Sequence, residues 1–388
     1  MLLIRSLGKK IKLLSTKFPV VAITGPRQSG KTTLILDLYK EYKYYNLENL
    51  EFLNLVEKNP AGFVKDNSRI IIDEVQKMPN LLSYIQVNVD EKKIMGDYVI
   101  SGSQNLLLSQ NISQSLAGRA AYITLLPFSH EELKSKDLQK SSVYEQILTG
   151  FYPAIYDRDI NPTDYFNEYL ITYVERDVRQ LINISDLSQF RKFLGLLAGR
   201  IGQLLNLSSL ANDVGVSHNT IEGWISLLEA SYIVYRLPPY FGNFGKRLIK
   251  SPKIYFYDVG LACRLLNISS EEELKTHPSI GSLFENLVIS EIQKYINNSS
   301  KSATLYFYRD SNGNEVDLVI DTGVGKIPVE IKSAGTFSND FLNGITRFVS
   351  LDTRTKDKFI VYTGVETGDF DNTRLLVGNN LSPLFERI

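Results

Sequence analysis

The residues with the most specific chemistry form a glycine-containing run near the N-terminus. Gly25-Pro-Arg-Gln-Ser-Gly-Lys31-Thr32 has the spacing of a P-loop, whose glycines let successive backbone N–H groups turn inward around phosphates. In a P-loop the Lys31 ammonium would reach the β and γ phosphates of ATP, and the Thr32 hydroxyl would bind Mg²⁺. The predicted nucleotide-binding residues of this run are Gly25, Pro26, Arg27, Gln28, Ser29, Gly30, Lys31, Thr32 and Thr33.

The elements expected around this run are those that a P-loop requires. An apolar, β-branched run precedes it, and a helix is expected from Lys31 onward. Fully apolar strands spaced by helices indicate a parallel sheet that is covered on both faces. Such strands are expected at 20–24, 44–47, 70–72, 98–101 and 122–125. The sequence therefore predicts an α/β fold for residues 1–135.

A pair of acidic residues ends one of these strands. Asp73 and Glu74 follow Ile70-Ile-Ile72 directly. At a nucleotide site, Asp73 would lie beside the metal ion and Glu74 could polarise the attacking water. The plain alternative is a turn together with a surface acidic pair. The presence of both motifs in one chain favours the ATP and Mg²⁺ interpretation.

Two further polar positions could serve the same site. The next strand ends in Ser103 and Gln104, either of which could position water between the nucleotide-facing strands, although an ordinary turn is an equal alternative. Arg119 precedes the fifth strand and could act as an arginine finger on a neighbour's γ-phosphate, or sense the nucleotide of its own subunit. A surface salt bridge explains Arg119 equally well.

Taken together, these motifs resemble the prokaryotic AAA+-related P-loop ATPases. The resemblance also includes Tyr45-Asn-Leu-Glu48, Ile72-Asp-Glu-Val-Gln76 with Pro79, Tyr173-Val-Glu-Arg-Asp177 and Tyr255-Phe-Tyr-Asp-Val-Gly-Leu261, and so it covers essentially the whole chain. It implies an AAA+-like ATPase domain that is followed by a C-terminal region of uncharacterised function. It implies no particular substrate.

Residues 207–228 predict a helix-turn-helix. Gly215 would supply the turn and Ser217 would cap the second helix, whose exposed start holds His218 and Asn219. The segments 232–237 and 254–257 could pair as a wing around a loop with Lys246, Arg247, Lys250 and Lys253. The second helix has no arginine or lysine in its first two turns, so a structural or protein-binding module is as good an interpretation as a DNA-binding one.

A predicted hairpin near the C-terminus brings acidic residues together. If the six residues between Glu315-Val-Asp-Leu-Val-Ile320 and Ile327-Pro-Val-Glu-Ile-Lys332 form its loop, Asp317 lies opposite Glu330 and shares a face with Lys332. Two opposed carboxylates repel unless a cation neutralises them. Glu285 falls inside the apolar arc of the preceding helix, where a lone carboxylate is costly.

This order of acids resembles the PD-(D/E)xK nuclease fold. The resemblance implies that Glu285, Asp317 and Glu330 are metal ligands and that Lys332 is catalytic. The alternative is a degenerate domain whose acids form a salt-bridge ladder with Lys332 and Arg309.

Composition limits the remaining possibilities. The chain has 388 residues, which favours two or three domains, and its 43 basic and 43 acidic residues exclude a globally basic nucleic-acid binder. One cysteine, the lack of a long apolar run and a charged N-terminus predict a cytoplasmic protein without a membrane partner. The predicted domains are an ATPase domain at 1–135, a helical winged-helix region at 136–270 and a nuclease-like domain at 271–388.

The predicted function is an ATP-hydrolysing, AAA+-like protein that acts on DNA, with ATP and Mg²⁺ as cofactors and a metal-dependent nuclease domain. Assembly into a homo-oligomer would let Arg119 act on a neighbour. The alternative is a nucleotide-dependent switch or scaffold with an inactive nuclease-like domain. A DNA-binding transcription factor with ATP as its ligand is disfavoured by Glu74.

Overall fold

The computed structural model describes residues 5–103, 116–175, 187–241, 250–352, 354–355 and 357–388. The chain divides into two compact units. Unit 1 comprises residues 1–128, 230–233 and 297–300, and unit 2 comprises residues 129–229, 234–296 and 301–388. Among the described residues, no helix is long and apolar enough to cross a membrane.

Unit 1 is built on a parallel sheet of five strands in the order β2-β3-β4-β1-β5. Its strands are β1 (Val20–Thr24), β2 (Lys43–Asn46), β3 (Ile70–Asp73), β4 (Tyr98–Gly102) and β5 (Ala120–Thr124). Its helices are α1 (Gly8–Ser15), α2 (Lys31–Leu38), α3 (Leu50–Lys58), α4 (Pro60–Asp66) and α5 (Leu81–Lys92), with a 3₁₀ turn at Val75–Lys77. The predicted α/β fold with a parallel sheet is confirmed.

Alternate residues of each central strand enter two different hydrophobic clusters. Val20 and Ala22 of β1 pack in the cluster that includes α3, α4 and α5, whereas Val21 and Ile23 pack in the cluster that includes α1 and α2. Both faces of the sheet are therefore buried, which explains why its strands are almost uniformly apolar. Strand β4 lies between β1 and β3, so the ends of these three strands are neighbours at one edge of the sheet.

Unit 2 begins with a helical region and ends with a mixed sheet. Its helices are α6 (His130–Lys134), α7 (Val143–Thr149), α8 (Pro153–Arg158), α9 (Pro162–Tyr169), α10 (Leu187–Ala198), α11 (Leu207–Val214), α12 (His218–Ala230), α13 (Val259–Leu265), α14 (Glu271–Thr276), α15 (Ile280–Asn298), α16 (Asn343–Val349) and α17 (Ser382–Phe385). A π-helical segment spans Leu170–Glu175 and a 3₁₀ turn spans Asn339–Leu342. Strands β6 (Val234–Leu237) and β7 (Lys253–Phe256) pair antiparallel.

The mixed sheet of unit 2 has six strands in the order β12-β13-β11-β10-β9-β8. They are β8 (Thr304–Arg309), β9 (Glu315–Asp321), β10 (Lys326–Lys332), β11 (Phe359–Tyr362), β12 (Gly368–Phe370) and β13 (Thr373–Val377). Strands β9 and β10 pair antiparallel with Ile320 opposite Ile327, which is the register predicted from the alternation of apolar residues. That register places Asp317 and Glu330 at the same level of the hairpin.

Candidate functional site

The P-loop of unit 1 is the turn between strand β1 and helix α2. Gly25 has φ +146°, and a Cβ atom there would lie 2.1 Å from the carbonyl oxygen of Leu125. Gly30 has φ +90° directly before Lys31, the first residue of α2. Only glycine adopts these positive φ angles readily, and only glycine fits against Leu125, so both glycines are required by the shape of the turn.

Lys31 lies inside this turn. Its ammonium donates hydrogen bonds to the carbonyl oxygens of Gly25, at 3.0 Å, and Pro26, at 2.8 Å. Burial lowers the pKa of Lys31 to about 8, against the opposing effect of the Glu74 and Asp73 carboxylates. The two carboxylates do not offset the cost of burying the Lys31 ammonium, and phosphate oxygens would stabilise its charge. The residue therefore fits its predicted role toward ATP.

Thr32 and Asp73 contact each other directly. The Thr32 hydroxyl donates to Asp73 Oδ2 at 2.7 Å, and the Tyr44 hydroxyl donates to the same oxygen at 2.9 Å. The Ser101 hydroxyl, on strand β4, donates to the other oxygen of Asp73. Two oxygen ligands, one at the start of helix α2 and one at the end of strand β3, are thus already adjacent, which fits a small, oxygen-preferring cation such as Mg²⁺. Bound with ATP, Mg²⁺ would be held by Thr32 and Asp73 and would neutralise phosphate charge.

Glu74 is held beside this pair by two side chains. The Ser103 hydroxyl donates to Glu74 Oε2 at 3.2 Å, and the Gln76 amide donates both to that carboxylate and to Ser103 Oγ, the latter at 3.2 Å. Burial raises the pKa of Glu74, and the Lys31 ammonium opposes this rise. A carboxylate with a raised pKa is a better proton acceptor, so Glu74 is suited to polarise water.

Ser103 therefore contacts Glu74, and its predicted role in positioning water stays a prediction. Its alternative, Gln104, lies outside the described residues. The contributions of Tyr44, Ser101 and Gln76 were not predicted. Gln76 lies only two residues after Glu74, so a search for polar residues near the acidic strand end could have found it.

The other residues of the P-loop differ in exposure. Ser29 is fully buried, and its hydroxyl makes no hydrogen bond among the described residues. Pro26 is buried, Arg27 is half-buried, and Gln28 and Thr33 are exposed.

Arg5, which the sequence did not single out, lies beneath this loop. Its guanidinium donates to the carbonyl oxygens of Ser29, at 2.8 Å, and Leu126, at 2.6 Å. Arg5 therefore joins the P-loop to the segment that follows strand β5.

Arg119 lies in a two-point ion pair with Asp90 of helix α5. Its Nε lies 2.5 Å from Asp90 Oδ1, and its second guanidinium nitrogen lies 2.8 Å from Oδ2. The hydrogen bonds to Arg119 lower the pKa of Asp90. Within this chain the geometry is that of the predicted surface salt bridge, and the finger role stays a prediction.

In unit 2, six charged side chains form a cluster that we call the acid–lysine cluster. Lys332 lies 3.2 Å from Asp317 Oδ2 and 2.5 Å from Glu330 Oε1. Lys253 lies 3.0 Å from Glu285 Oε1 and 2.5 Å from Glu315 Oε1. The cluster consists of Lys253, Glu285, Glu315, Asp317, Glu330 and Lys332. The four residues predicted for a nuclease site are thus brought together, and two that were not predicted for it join them.

Each lysine of the cluster bridges two carboxylates. Burial raises the pKa of Glu285 and of Glu330, with Asp317 adding to the effect on Glu330. Arg309 adds a third cation, 3.1 Å from Glu315. No group of three or more acids, histidines or cysteines among the described residues is arranged to hold a metal ion. The chain's own cations pair with these carboxylates. The predicted roles of Glu285, Asp317 and Glu330 as metal ligands and of Lys332 as a catalytic residue stay predictions.

Lys253 was predicted in the loop between the two strands of the wing, and this placement is wrong. Lys253 is the first residue of strand β7 and is 3% exposed. Strand alternation places it on the same face as Tyr255, whose hydroxyl also donates to Glu285. The predicted basic residues Lys246 and Arg247 lie outside the described residues.

Helices α11 and α12 lie where the helix-turn-helix was predicted. Gly215 has φ +89° between them, and the Ser217 hydroxyl accepts a hydrogen bond from the Thr220 N–H at 3.1 Å. Apolar residues of both helices are buried, among them Leu210 and Val214 of α11 and Ile221 and Trp224 of α12. His218 and Asn219 are exposed at the start of α12. Asp213 of helix α11 forms an ion pair with Arg200.

Comparison with known proteins agrees with the geometry of unit 1. Residues 17–134 match the family model described as an AAA domain. The N-terminal region therefore has an AAA-type P-loop ATPase fold. Residues 140–272 and 280–380 match two models described as domains of unknown function, DUF8612 and DUF4143.

Two curated relatives extend over most of the chain. An uncharacterised protein of Mycobacterium tuberculosis is 29% identical over 364 residues, which cover 93% of this chain and 80% of that protein. An uncharacterised protein of Methanocaldococcus jannaschii is 24% identical over 345 residues, which cover 80% of this chain and 74% of that protein.

The solved structures that resemble the chain are more distant. A Walker-type ATPase of Pyrococcus abyssi is 15% identical, with 66% of this chain and 94% of that chain covered at a TM-score of 0.41. AMPPCP-bound DnaA from Aquifex aeolicus is 14% identical, with 57% and 85% covered at a TM-score of 0.29. Likenesses at these scores support no conclusion about function.

Proposed function

We propose that this protein binds ATP together with Mg²⁺ and hydrolyses ATP. The observation that carries the proposal is the contact of Thr32 with Asp73, at 2.7 Å, beside a Glu74 that Ser103 and Gln76 hold in place. A metal-binding pair, a phosphate-binding turn and a proton acceptor at neighbouring strand ends are the parts that ATP hydrolysis needs. A domain that only bound ATP would not need Glu74 in this position.

The chemistry follows from the residues that surround the phosphates. The backbone N–H groups of Gly25 to Thr32 and the Lys31 ammonium would hold the phosphate oxygens. Glu74 would accept a proton from water as that water attacks the γ-phosphorus, and the bond from phosphorus to the ADP oxygen would break. Ser103 and Gln76 keep the acceptor oriented, because each donates to the same carboxylate.

The test compares ATP binding and hydrolysis in matched variants. Glu74→Gln keeps the size of the side chain but removes the proton acceptor, so we expect ATP affinity to be retained and hydrolysis to fall by about 10²–10⁴-fold. Glu51→Gln changes an exposed glutamate of helix α3 and serves as the control. Hydrolysis that persists in Glu74→Gln would refute the assignment of Glu74, and wild-type protein without ATP binding would refute the proposal.

For unit 2, we propose the role of a scaffold domain that does not cleave DNA. The support is the acid–lysine cluster, in which Lys253 and Lys332 each bridge two carboxylates. We expect plasmid and branched DNA to stay intact in Mg²⁺ or Mn²⁺. Cleavage by the wild type that disappears in Asp317→Ala would overturn this role and restore the nuclease prediction.

DNA binding without cleavage is a second candidate that the exposed His218 and Asn219 favour. Fluorescence anisotropy with a duplex at several salt concentrations tests it. We expect His218→Ala together with Asn219→Ala to weaken binding without changing the salt dependence, because contacts to base edges do not neutralise phosphates. Unchanged affinity in the double variant would exclude this helix as the contact.

A further inference from the structure

Lys253 lies in an environment that lysine rarely occupies. Its side chain is 3% exposed, and its ammonium contacts Glu285 of helix α15 and Glu315 of strand β9. Burial opposes the charge of Lys253, but Glu285, Asp317 and Glu315 outweigh burial and raise its pKa. The lysine is therefore a fixed cation between carboxylates that come from two separate elements.

Two acids from different elements converge on Lys253, as acids converge on the ion in a metal site. Glu285 and Glu315 come from different elements, and a single positive centre holds both within 3.0 Å. Acids brought together in this way repel one another unless a cation lies between them. The remaining acids, Asp317 and Glu330, are bridged in the same manner by Lys332.

The net charge of the cluster also favours a divalent ion in the place of Lys253. Four carboxylates, those of Glu285, Glu315, Asp317 and Glu330, meet three cations, those of Lys253, Lys332 and Arg309. One negative charge is in excess when all are ionised. A divalent ion in the place of Lys253 would balance the set, whereas a divalent ion added beside Lys253 would leave it positive.

A second observation indicates unused binding capacity. Glu330 is 7% exposed, and its Oε2 atom has no hydrogen-bond partner among the described residues. A buried carboxylate oxygen without a donor costs free energy and is rare in folded proteins. The cluster thus has more oxygen acceptors than its present cations occupy.

We propose that Lys253 takes the place of a divalent cation in the acid–lysine cluster, and that removal of its ammonium opens a cation site formed by Glu285, Glu315 and Asp317. Lys253 belongs to strand β7, which pairs with strand β6. Strand β6 follows the two helices α11 and α12 in the chain. The proposal concerns unit 2 only. It holds or fails independently of ATP hydrolysis.

The test measures Mn²⁺ binding in nucleotide-free protein by titration calorimetry. All proteins carry Asp73→Asn, so that the nucleotide site does not contribute. We expect Lys253→Met, which keeps the unbranched chain but lacks the terminal ammonium, to bind one Mn²⁺ at least ten-fold more tightly than the parent. A Mn²⁺ affinity of Lys253→Met that does not exceed that of the parent would overturn the proposal.

Two further variants show whether the effect is specific. Lys326, at the start of strand β10, is 5% exposed and paired with Asp321. Lys326→Met therefore removes a similarly buried lysine outside the acid–lysine cluster. We expect it to gain no Mn²⁺ affinity. Adding Asp317→Asn to Lys253→Met should abolish the gain. A gain that survives Asp317→Asn would place the ion elsewhere and refute the site.

Lys253→Met leaves buried acids unpaired and can fail to fold, so thermal unfolding provides a second measurement. We expect Mn²⁺ to raise the Tm of this variant more than that of the parent, at an ionic strength matched with NaCl. If the variant does not fold even with Mn²⁺, Lys253→Met combined with Glu330→Gln lowers the repulsion by one charge and leaves the three proposed ligands in place. Failure of that folded double variant to bind Mn²⁺ more tightly than the parent would overturn the proposal.

Discussion

The burial of Lys31 has a consequence for nucleotide binding that can be measured as a function of pH. In the nucleotide-free protein the pKa of Lys31 is lowered from 10.5 to about 8, chiefly by burial. Phosphate oxygens around the ammonium would raise that pKa again. Above pH 8, ATP binding must therefore be accompanied by uptake of a proton at Lys31. Because the proton concentration falls as pH rises, the affinity for ATP must fall as well.

The magnitude follows from the two pKa values. A shift from 10.5 to about 8 corresponds to about 3 kcal/mol, which is the cost of keeping Lys31 charged in the nucleotide-free fold. This cost lowers stability below pH 8, and stability recovers as pH rises toward 10.5, because the unfolded chain then holds the proton that the folded chain has lost. For ATP, the charged fraction of Lys31 falls roughly 25-fold between pH 7.5 and 9.5. The apparent Kd should rise by the same factor.

The assay is a titration with a fluorescent ATP analogue and Mg²⁺ at several pH values between 7.5 and 9.5. ATP itself is fully ionised over this range, since the second pKa of a phosphate group is about 6. Lys31→Arg is the matched control, because a guanidinium stays charged throughout and should give a nearly flat profile. A flat profile for the wild type would refute the reasoning, as would an equal slope in Lys31→Arg.

Three other predictions concern unit 1. Arg5→Met leaves buried carbonyl groups without their donor, so we expect the free energy of unfolding measured in urea to fall by about 2–4 kcal/mol; an unchanged midpoint would show that Arg5 does not brace the loop. Gly25→Ala places a Cβ atom 2.1 Å from the Leu125 oxygen, so ATP affinity should fall at least ten-fold, and unchanged affinity would contradict the loop geometry. Arg119→Ala breaks a surface pair with Asp90, so Tm should barely change. If the finger role is right, Arg119→Ala will also lower hydrolysis at least ten-fold, and unchanged hydrolysis would reduce Arg119 to a surface ion pair.

The nucleotide site was largely predictable because its parts are local. The turn from Gly25 to Thr32 is one contiguous stretch whose shape depends on two glycines with positive φ. Asp73 and Glu74 lie at the end of an apolar strand, and the ends of neighbouring parallel strands meet at one edge of a sheet. Short-range spacing and strand polarity were therefore sufficient to predict that Thr32 and Asp73 meet.

The same local reasoning predicted the hairpin register but not what neutralises its acids. Alternation of apolar residues places Ile320 opposite Ile327, and with them Asp317 near Glu330. A cation was the correct requirement for such a pair. The sequence alone left open a metal ion and a salt-bridge ladder with Lys332 and Arg309. Nothing local to β9 and β10 shows that Lys253, some sixty residues earlier, pairs with Glu285 and Glu315.

By itself, then, the sequence determined the features that depend on neighbours along the chain: the P-loop, the acidic strand end, the α/β pattern of unit 1 and the pairing of the C-terminal hairpin. Only the tertiary structure decided which distant side chains meet, because burial and ion pairing depend on packing between elements. It placed Arg5 beneath the P-loop and buried Lys253 among carboxylates, although the sequence had placed Lys253 in a loop between two strands.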